Sequence, residues 1–199
     1  MRSRVNQGGF SLIEMLAALA IVGIMAAMTV PAATRTVGDL RLRGDARALH
    51  NLVGLAKMRA ASKFTRERLY VDLATDSFFL QYWDKVAGAW VTEGGVTQLS
   101  SAVDFGFDAL TGPPPNTQIA INQAPACLVA LDAGAVIANT ACVVFNSRGI
   151  PIDSTGAPNG NGGFYVTDHE TGVYAITVSA TPFVRLWWSP HSQTSWMHK

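Results

Sequence analysis

The chain has 199 residues, a formal net charge of +1, 49% hydrophobic residues and 15% charged residues. This length suits one ordinary domain with an appendage. An apolar composition with little net charge excludes intrinsic disorder, which requires the opposite balance, and a near-neutral total gives no overall signature of polyanion binding.

The charges are unevenly distributed along the chain. Residues 34–68 contain nine Lys or Arg and three Asp or Glu, whereas residues 69–199 contain four and ten. The segment 34–68 is therefore basic and the remainder of the chain is acidic.

The amino-terminal segment predicts a membrane anchor. Arg2 and Arg4 precede residues 10–33, which are apolar except for Glu14. A helix of that length would extend about 36 Å, enough for a hydrocarbon core of about 30 Å. The basic flank predicts a cytoplasmic amino terminus and an exported remainder. A cleaved secretory signal peptide is the alternative, but here the charge lies inside the apolar run and the small residues Gly8-Gly9 precede it.

A carboxylate inside an apolar run is costly, so Glu14 needs a partner. A cut between Gly9 and Phe10 would create an α-amino group that Glu14 of a neighbouring chain could neutralise. The residues GFSLIEM, followed by an apolar helix, resemble the class III signal of type IV pilins and type II secretion pseudopilins. The resemblance implies prepilin-peptidase cleavage after Gly9, N-methylation of Phe10 and an assembly role for Glu14, the fifth residue after the cut. Pro31 matches the helix-kinking proline of that family.

The helical pattern continues beyond Pro31, where a kink rather than an end is expected. Apolar residues recur at spacings of four and three, and Leu52 and Leu55 widen the stripe, which predicts one amphipathic helix from about residue 11 to about residue 63. Its first half is expected in lipid and its second half on a head domain. The stripe consists of Leu42, Ala46, Leu49, Val53, Ala56 and Ala60, and Arg41, Arg43, Arg47 and Arg59 lie off it.

From Arg68 the apolar period changes to two, which is typical of strands. Residues 106–116 and 153–163 are rich in turn formers and predict loops. One helix followed by short antiparallel strands indicates an α+β, pilin-like fold in which the helix covers one face of an antiparallel sheet. Strands are predicted at 68–74, 77–83, 89–92, 118–122, 127–131, 141–145, 163–167, 173–178 and 183–188.

The expected organisation has four parts. These are a leader peptide at 1–9, a transmembrane half-helix at 10–33, an amphipathic half-helix at 34–66 and a periplasmic β-rich head at 67–199.

The two cysteines predict a disulfide. A pairing register that joins Cys127 to Cys142 has its midpoint between Gly134 and Ala135, and a two-residue turn with Gly first is typical of a type II′ hairpin. Export would place both thiols in an oxidising compartment. Two buried free thiols are the alternative, and metal binding is not expected because no CxxC or clustered His accompanies them.

The carboxyl-terminal third resembles the GspH/FimT class. The segments CVVFNSRGIPID, GFYVTDHETGVYAITVSA and FVRLW are similar to its last sheet, including the turn from Phe145 to Gly149. Where that class has Gly-Arg-x-Arg, this chain has Pro182-Phe183-Val184-Arg185, so only Arg185 is retained as a possible nucleic-acid contact.

Catalytic motifs are absent from the sequence, so no enzyme activity and no cofactor is expected. The four histidines are interpreted as surface residues. Asp153, Asn159 and Asn161 could supply oxygen ligands to calcium, but a flexible loop is the preferred interpretation because the spacing of an EF-hand is missing.

Three functions remain open. The first is a minor pilin or pseudopilin, whose expected partners are other pilins through the amino-terminal helix, the prepilin peptidase, the inner-membrane assembly platform and membrane lipid. The second is a FimT-like minor pilin that binds DNA, which is disfavoured because the head is acidic. The third is a membrane anchor with an unrelated periplasmic domain.

Overall fold

The computed structural model describes residues 11–131, 134–181 and 183–199, except for the side chains of residues 28–33. The chain divides into two compact units, Met1–Val37 and Gly38–Lys199. One helix and ten strands form in the order α1 (Leu12–Ser62), β1 (Glu67–Asp72), β2 (Ser77–Asp84), β3 (Ala89–Gln98), β4 (Asp104–Phe105), β5 (Thr140–Phe145), β6 (Pro151–Ile152), β7 (Gly162–Thr167), β8 (Val173–Val178), β9 (Val184–Ser189) and β10 (Met197–His198).

Both ends of α1 have local causes. Ser11 caps the amino terminus, because its Oγ accepts a hydrogen bond from the Ile13 N–H at 3.2 Å. At the other end Phe64 adopts a positive φ of 50°, which turns the chain out of the helix, and Lys85 donates to the Phe64 carbonyl at 2.9 Å. The observed bounds agree with the predicted helix to within one residue at each end.

The first unit consists, where described, of the amino-terminal part of α1. Residues 11–27 are all exposed, and they include large apolar side chains such as Leu12, Leu19 and Ile24. Among the residues that the structure describes, no helix has both the length and the apolar character needed to cross a membrane.

The stripe predicted on the second part of α1 forms the core of the second unit. Leu42, Ala46, Leu49, Val53, Ala56 and Ala60 are each 0% exposed, and Leu52 and Leu55 pack against the same cluster. The stripe is buried by apolar side chains from β1, β2, β5, β7 and β8. The predicted amphipathic helix is therefore confirmed in this part of the chain.

The α+β class is confirmed, but the strands form two antiparallel sheets rather than one. The first has the order β3-β2-β1-β5-β6, and the second has the order β10-β9-β8-β7-β4. One core contains residues of both sheets and of α1, so the helix stripe packs on two sheets. The sheets approach closely where Gly162 at the start of β7 lies against Val143 of β5, since a Cβ on Gly162 would be 2.7 Å from Val143 Cγ2.

The turn between β5 and β6 joins the first sheet to α1. Gly149 adopts a φ of +70°, and a Cβ at this position would lie 3.1 Å from the Lys57 carbonyl oxygen. The Asn146 side chain accepts hydrogen bonds from the N–H groups of Arg148 and Ile150 at 2.9 and 3.1 Å. Glycine is required here for both its backbone conformation and its small size.

Strands β7 and β8 of the second sheet are buried on both faces. Phe164 and Val166 of β7 face the helix core, whereas Tyr165 belongs to a separate cluster with Leu110. Aromatic and aliphatic side chains from the β4–β5 connection and the carboxyl-terminal tail cover this outer face: Phe107, Ile121 and Trp196. The segment 107–121, to which the sequence assigned no covering role, therefore contributes side chains to an outer layer.

Two of the predicted strands are wrong. Residues 118–122 form no strand, because Gln118 uses its side chain instead, donating to the carbonyls of Asn122 and Asn161 at 3.0 and 2.8 Å. Residues 127–131 contribute only an isolated bridge between Leu128 and Val136.

Cys127 and Cys142 form a disulfide, but the hairpin register expected for them is wrong. The Ile137 N–H donates to the Cys127 carbonyl at 2.8 Å, so Cys127 lies opposite Ile137. Cys142 is in β5, where it is opposite Tyr70 of β1 and its N–H donates to the Pro125 carbonyl at 2.8 Å. The disulfide therefore attaches the segment before the bridge to a strand of the first sheet.

A carboxyl group is buried at the start of β1. Glu67 is 0% exposed, and neither of its oxygens has a hydrogen-bond partner among the described residues. Nearby, Glu93 forms ion pairs with Lys63 at 2.5 Å and with Arg59 at 3.2 Å. Burial, together with the Glu93 carboxylate, raises the pKa of Glu67 to about 7, although Lys63 and Arg59 oppose the increase.

We expect Leu49→Ala to destabilise the chain by about 2–5 kcal/mol, because it removes a fully buried side chain from the shared core. Leu40→Ala is the matched control, since Leu40 is 61% exposed on the same helix and should change stability by less than about 0.5 kcal/mol. Chemical denaturation followed by tryptophan fluorescence measures both. Equal effects of the two substitutions would contradict the assignment of the buried stripe.

We expect Glu67→Gln to stabilise the chain more at pH 8 than at pH 4.5. The folded state holds the Glu67 proton to a higher pH than the unfolded chain, so the wild type loses stability as the pH rises from about 4.5 to about 7. The Gln variant should lack this loss. Thermal melting across the pH range measures the difference, and Glu170→Gln, at an exposed position, is the control. A constant offset between Glu67→Gln and the wild type at all pH values would contradict the expectation.

Candidate functional site

The residues of the predicted processing site lie at the amino terminus. Gly9 and Phe10 lie outside the described residues, and so does the side chain of Pro31. Position 31 belongs to the backbone of helix α1, which is a single element from Leu12 to Ser62. The expected kink at Pro31 stays a prediction.

Glu14 is the ionisable residue of an otherwise apolar helix surface. It is exposed in the first turn of α1, and its N–H donates to the Ser11 carbonyl at 3.1 Å. Neighbouring side chains are apolar and exposed, with Leu12 at 79%, Ile13 at 72% and Leu16 at 54%. A carboxylate in the first turn of a helix interacts favourably with the helix dipole, so the charge of Glu14 stabilises α1 itself. Its surroundings on the helix surface supply no cation among the described residues.

Arg185, the possible nucleic-acid contact, is exposed on β9 opposite Thr177 of β8. It lines a small depression of about 20 Å³ together with Asn116, Thr117 and Phe183. Among the described lining residues of this depression, Arg185 is the one cation. The described lining of this depression therefore contains no basic cluster around Arg185.

In the loop considered for calcium, Asp153 and Asn159 each use a side-chain oxygen within the loop. Asp153 Oδ1 accepts hydrogen bonds from the N–H groups of Thr155 and Ala157 at 2.9 and 3.0 Å. The hydrogen bond from the Thr155 hydroxyl is the main reason why the pKa of Asp153 lies below its usual value. Asn159 Oδ1 accepts from the Asn161 N–H at 2.9 Å. Within the described part of the chain, no group of three acidic, His or Cys side chains is placed to hold a metal ion.

One histidine, interpreted from the sequence as a plain surface residue, connects two elements. His169 Nδ1 lies 2.7 Å from Asp108 and its Nε2 lies 3.0 Å from Asp104, so the imidazolium form donates to both carboxylates. The hydrogen bond to Asp104, followed by that to Asp108, raises the pKa of His169. Asp104 and Asp108 lie 65 and 61 residues before His169 in the chain, so the sequence gave no signal for this cluster. The cluster links the β4 region to the β7–β8 turn.

One of the comparisons with known proteins concerns the amino-terminal segment. A family model described as the prokaryotic N-terminal methylation motif matches residues 4–30, a range that includes Gly9, Phe10 and Glu14. The solved structure of the minor pseudopilin EpsH from the type 2 secretion system of Vibrio cholerae is similar to this chain at 12% identity, with a TM-score of 0.47, covering 73% of this chain and 95% of that one. No curated protein sequence shows significant similarity to the chain. The chain therefore carries the prokaryotic N-terminal methylation motif, which confirms the resemblance to pilins and pseudopilins at its amino terminus.

Proposed function

We propose that this chain is a minor pilin or minor pseudopilin, a structural subunit of a filament that is assembled at the inner membrane for type IV pilus biogenesis or type II protein secretion. The observation that carries the proposal is the methylation motif at residues 4–30. Within this range, Glu14 lies on an exposed and otherwise apolar surface of the helix. The second part of the same helix contributes its buried stripe to the core of the β-rich unit.

The motif supports the processing steps of the proposal. In this proposal a prepilin peptidase cleaves the chain between Gly9 and Phe10 and Phe10 becomes the methylated terminus. Both residues lie inside the matched range 4–30.

Anchoring follows from the apolar run of the sequence. This run covers residues 10–33, and the structure describes the side chains of residues 11–27 within it. We infer that this run holds the subunit in the inner membrane as a single span, with the amino terminus in the cytoplasm and the head in the periplasm. The Cys127–Cys142 disulfide suits an oxidising compartment on the side of the head.

Assembly would bury the surface that is exposed in a single subunit. Packing of exposed apolar helices against those of other pilins removes apolar area from contact with water or lipid during extraction. In this arrangement Glu14 neutralises the α-amino group of the adjacent subunit, which compensates for two charges that would each be costly alone. The proposed partners are therefore other pilins, the prepilin peptidase, the assembly platform and membrane lipid.

The role proposed here is structural and not enzymatic. DNA binding, the second function considered from the sequence, is not favoured, because Arg185 is the one cation among the described residues that line its depression. Binding to DNA depends mainly on several Lys or Arg side chains that contact phosphates together.

We expect the mature protein to contain 190 residues and to begin at Phe10, because cleavage after Gly9 removes nine of the 199 residues. Mass spectrometry of the membrane-extracted protein measures this terminus and its methylation. Gly9→Leu should block cleavage while leaving the chain in the membrane. An intact Met1 terminus in cells that contain a prepilin peptidase, or a cut beyond Ala33, would contradict the proposal.

We expect Glu14→Val to be processed and retained in the membrane but not to enter the filament. A plain anchor inserts more favourably without a carboxylate in the bilayer, because such a charge costs about 2.5–3.5 kcal/mol at mid-bilayer. A filament subunit, in contrast, loses the group that neutralises the amine of an adjacent subunit. Crosslinking to the major pilin, compared with that of the wild type in the same cells, separates the two roles.

The control for this experiment is Glu170→Val, which removes an exposed carboxylate from the head and should leave crosslinking unchanged. Equal crosslinking and undiminished piliation or secretion in Glu14→Val would leave only the anchor role.

A further inference from the structure

A cavity of about 330 Å³ lies beside β5 and β6 in the first sheet, behind the segment that carries Cys127. Most of its lining is apolar and comes from side chains far apart in the sequence. The apolar part of the wall includes Leu128, Leu131, Val136, Val144 and Ile152. Two residues with hydrogen-bond donors, Arg68 of β1 and Trp90 of β3, complete the wall.

Arg68 places a positive charge in this apolar wall. It is 3% exposed, and its acceptors among the described residues are neutral: Nε donates to Gln81 Oε1 at 2.8 Å, and Nη1 donates to the Leu128 carbonyl at 2.7 Å. A guanidinium has five N–H donors, so most of its donor capacity is unused. No carboxylate in the described part of the chain pairs with this buried cation. Burial without an anion is unfavourable, and it lowers the pKa of Arg68.

Trp90 adds a second donor without an acceptor. Its Nε1 atom is buried and has no hydrogen-bond partner among the described residues. The Arg68 Cζ atom lies 4.2 Å from the centre of the Trp90 ring, so the two donor-bearing side chains are stacked at one part of the wall. Buried donors are almost always paired in folded proteins. This part of the cavity therefore lacks an acceptor, and an anionic one would also balance the charge of Arg68.

The other polar side chains of the described wall form no hydrogen bond with Arg68 or Trp90. Asp153 lines the cavity, and its Oδ1 atom accepts three hydrogen bonds within its own turn, from Thr155 and Ala157. The Asn159 side-chain oxygen is similarly occupied by the Asn161 N–H.

We propose that this cavity binds an aliphatic monocarboxylate, with the carboxylate on Arg68 and the hydrocarbon chain against the apolar wall. A carboxylate matches the guanidinium geometrically and offers lone pairs to both unpaired donors. An unbranched hydrocarbon makes no demand for hydrogen bonds, whereas a peptide would bring amide groups that this apolar wall leaves unpaired. The inference is independent of the proposed assembly role, since it concerns the head of a single subunit.

Octanoate is the probe, and octanamide is its neutral counterpart of equal length. Calorimetric titration of the full chain in nanodiscs of zwitterionic lipid, with empty nanodiscs as the blank, should show saturable octanoate binding with one site per chain. Octanamide should bind at least about tenfold more weakly, because it cannot form a charge-assisted pair with Arg68. Equal affinities for the two ligands, or a signal no larger than that of empty nanodiscs, would overturn the proposal.

Three variants assign the binding to this cavity. Arg68→Gln should weaken octanoate binding at least about tenfold, whereas Arg185→Gln, which removes an exposed arginine elsewhere, should not change it. Ala130→Phe fills the cavity without changing Arg68, so it should abolish binding even if Arg68→Gln fails to fold. Unchanged octanoate affinity in a folded Ala130→Phe variant would place the ligand elsewhere and overturn the assignment. Correct processing and assembly of Ala130→Phe would show that loss of this site leaves the proposed filament function intact.

Discussion

The structure of the head depends on the burial of one stripe of helix α1 against two sheets. Leu42, Leu49 and Val53 are fully buried, and their neighbours come from strands of both sheets. Neither sheet could bury its apolar face alone, because each has only five short strands and the helix supplies the common surface. The helix is therefore a core element of the head as well as the carrier of the amino-terminal segment.

This double role explains why the two parts of α1 differ so strongly in exposure. The stripe residues on the head are 0% exposed, whereas the large apolar side chains in the first part of the helix are more than half exposed. In a single subunit those apolar side chains have no protein core to enter, and a membrane or neighbouring helices would have to cover them.

Polar contacts fix the layers that hydrophobic packing brings together. Asp45 of α1 accepts hydrogen bonds from the N–H and hydroxyl groups of Ser100, which holds the connection after β3 against the helix. On the far side of the second sheet, the Gln123 side chain bonds both the N–H and the carbonyl of Tyr165 at 3.0 and 2.9 Å. Side-chain amides thus take the place of a further strand and satisfy backbone groups at this edge. This replacement of a strand by side-chain amides explains why the strand-like periodicity of residues 118–122 is misleading.

The cavity beside β5 shows a different use of polar groups. Arg68 and Trp90 hold unpaired hydrogen-bond donors in a largely apolar wall. Elsewhere in the described part of the chain, most buried side-chain donors are paired. Because the disulfide fixes the segment from Cys127 beside β5, the wall is held in place by a covalent bond as well as by packing. A preformed cavity of this kind costs little reorganisation when a ligand enters.

The sequence by itself determined the features that depend on local period and on a short motif. The spacing of apolar residues located the buried stripe of α1, period-two segments located most strands, and the methylation motif was visible in the residues around Gly9. Two cysteines in a chain expected to be exported also sufficed to predict the disulfide. The stripe, the strands and the motif each depend on residues that are close in the chain, so no knowledge of the fold was needed.

Only the tertiary structure decided how distant segments combine. The apolar alternation at 118–122 resembled a strand, but Ile119 is 99% exposed and Gln118 bonds to backbone carbonyls, because β4 and Gln123 already occupy that edge of β7. The Cys127 register failed for a similar reason, since the Cys142 N–H of β5 is already bonded to the Pro125 carbonyl. The division of the strands into two sheets, and the meeting of Arg68 with Trp90, arise from contacts between residues that are far apart in the chain. Such contacts depend on which edges and faces remain free after the core has formed, and local pattern carries no information about them.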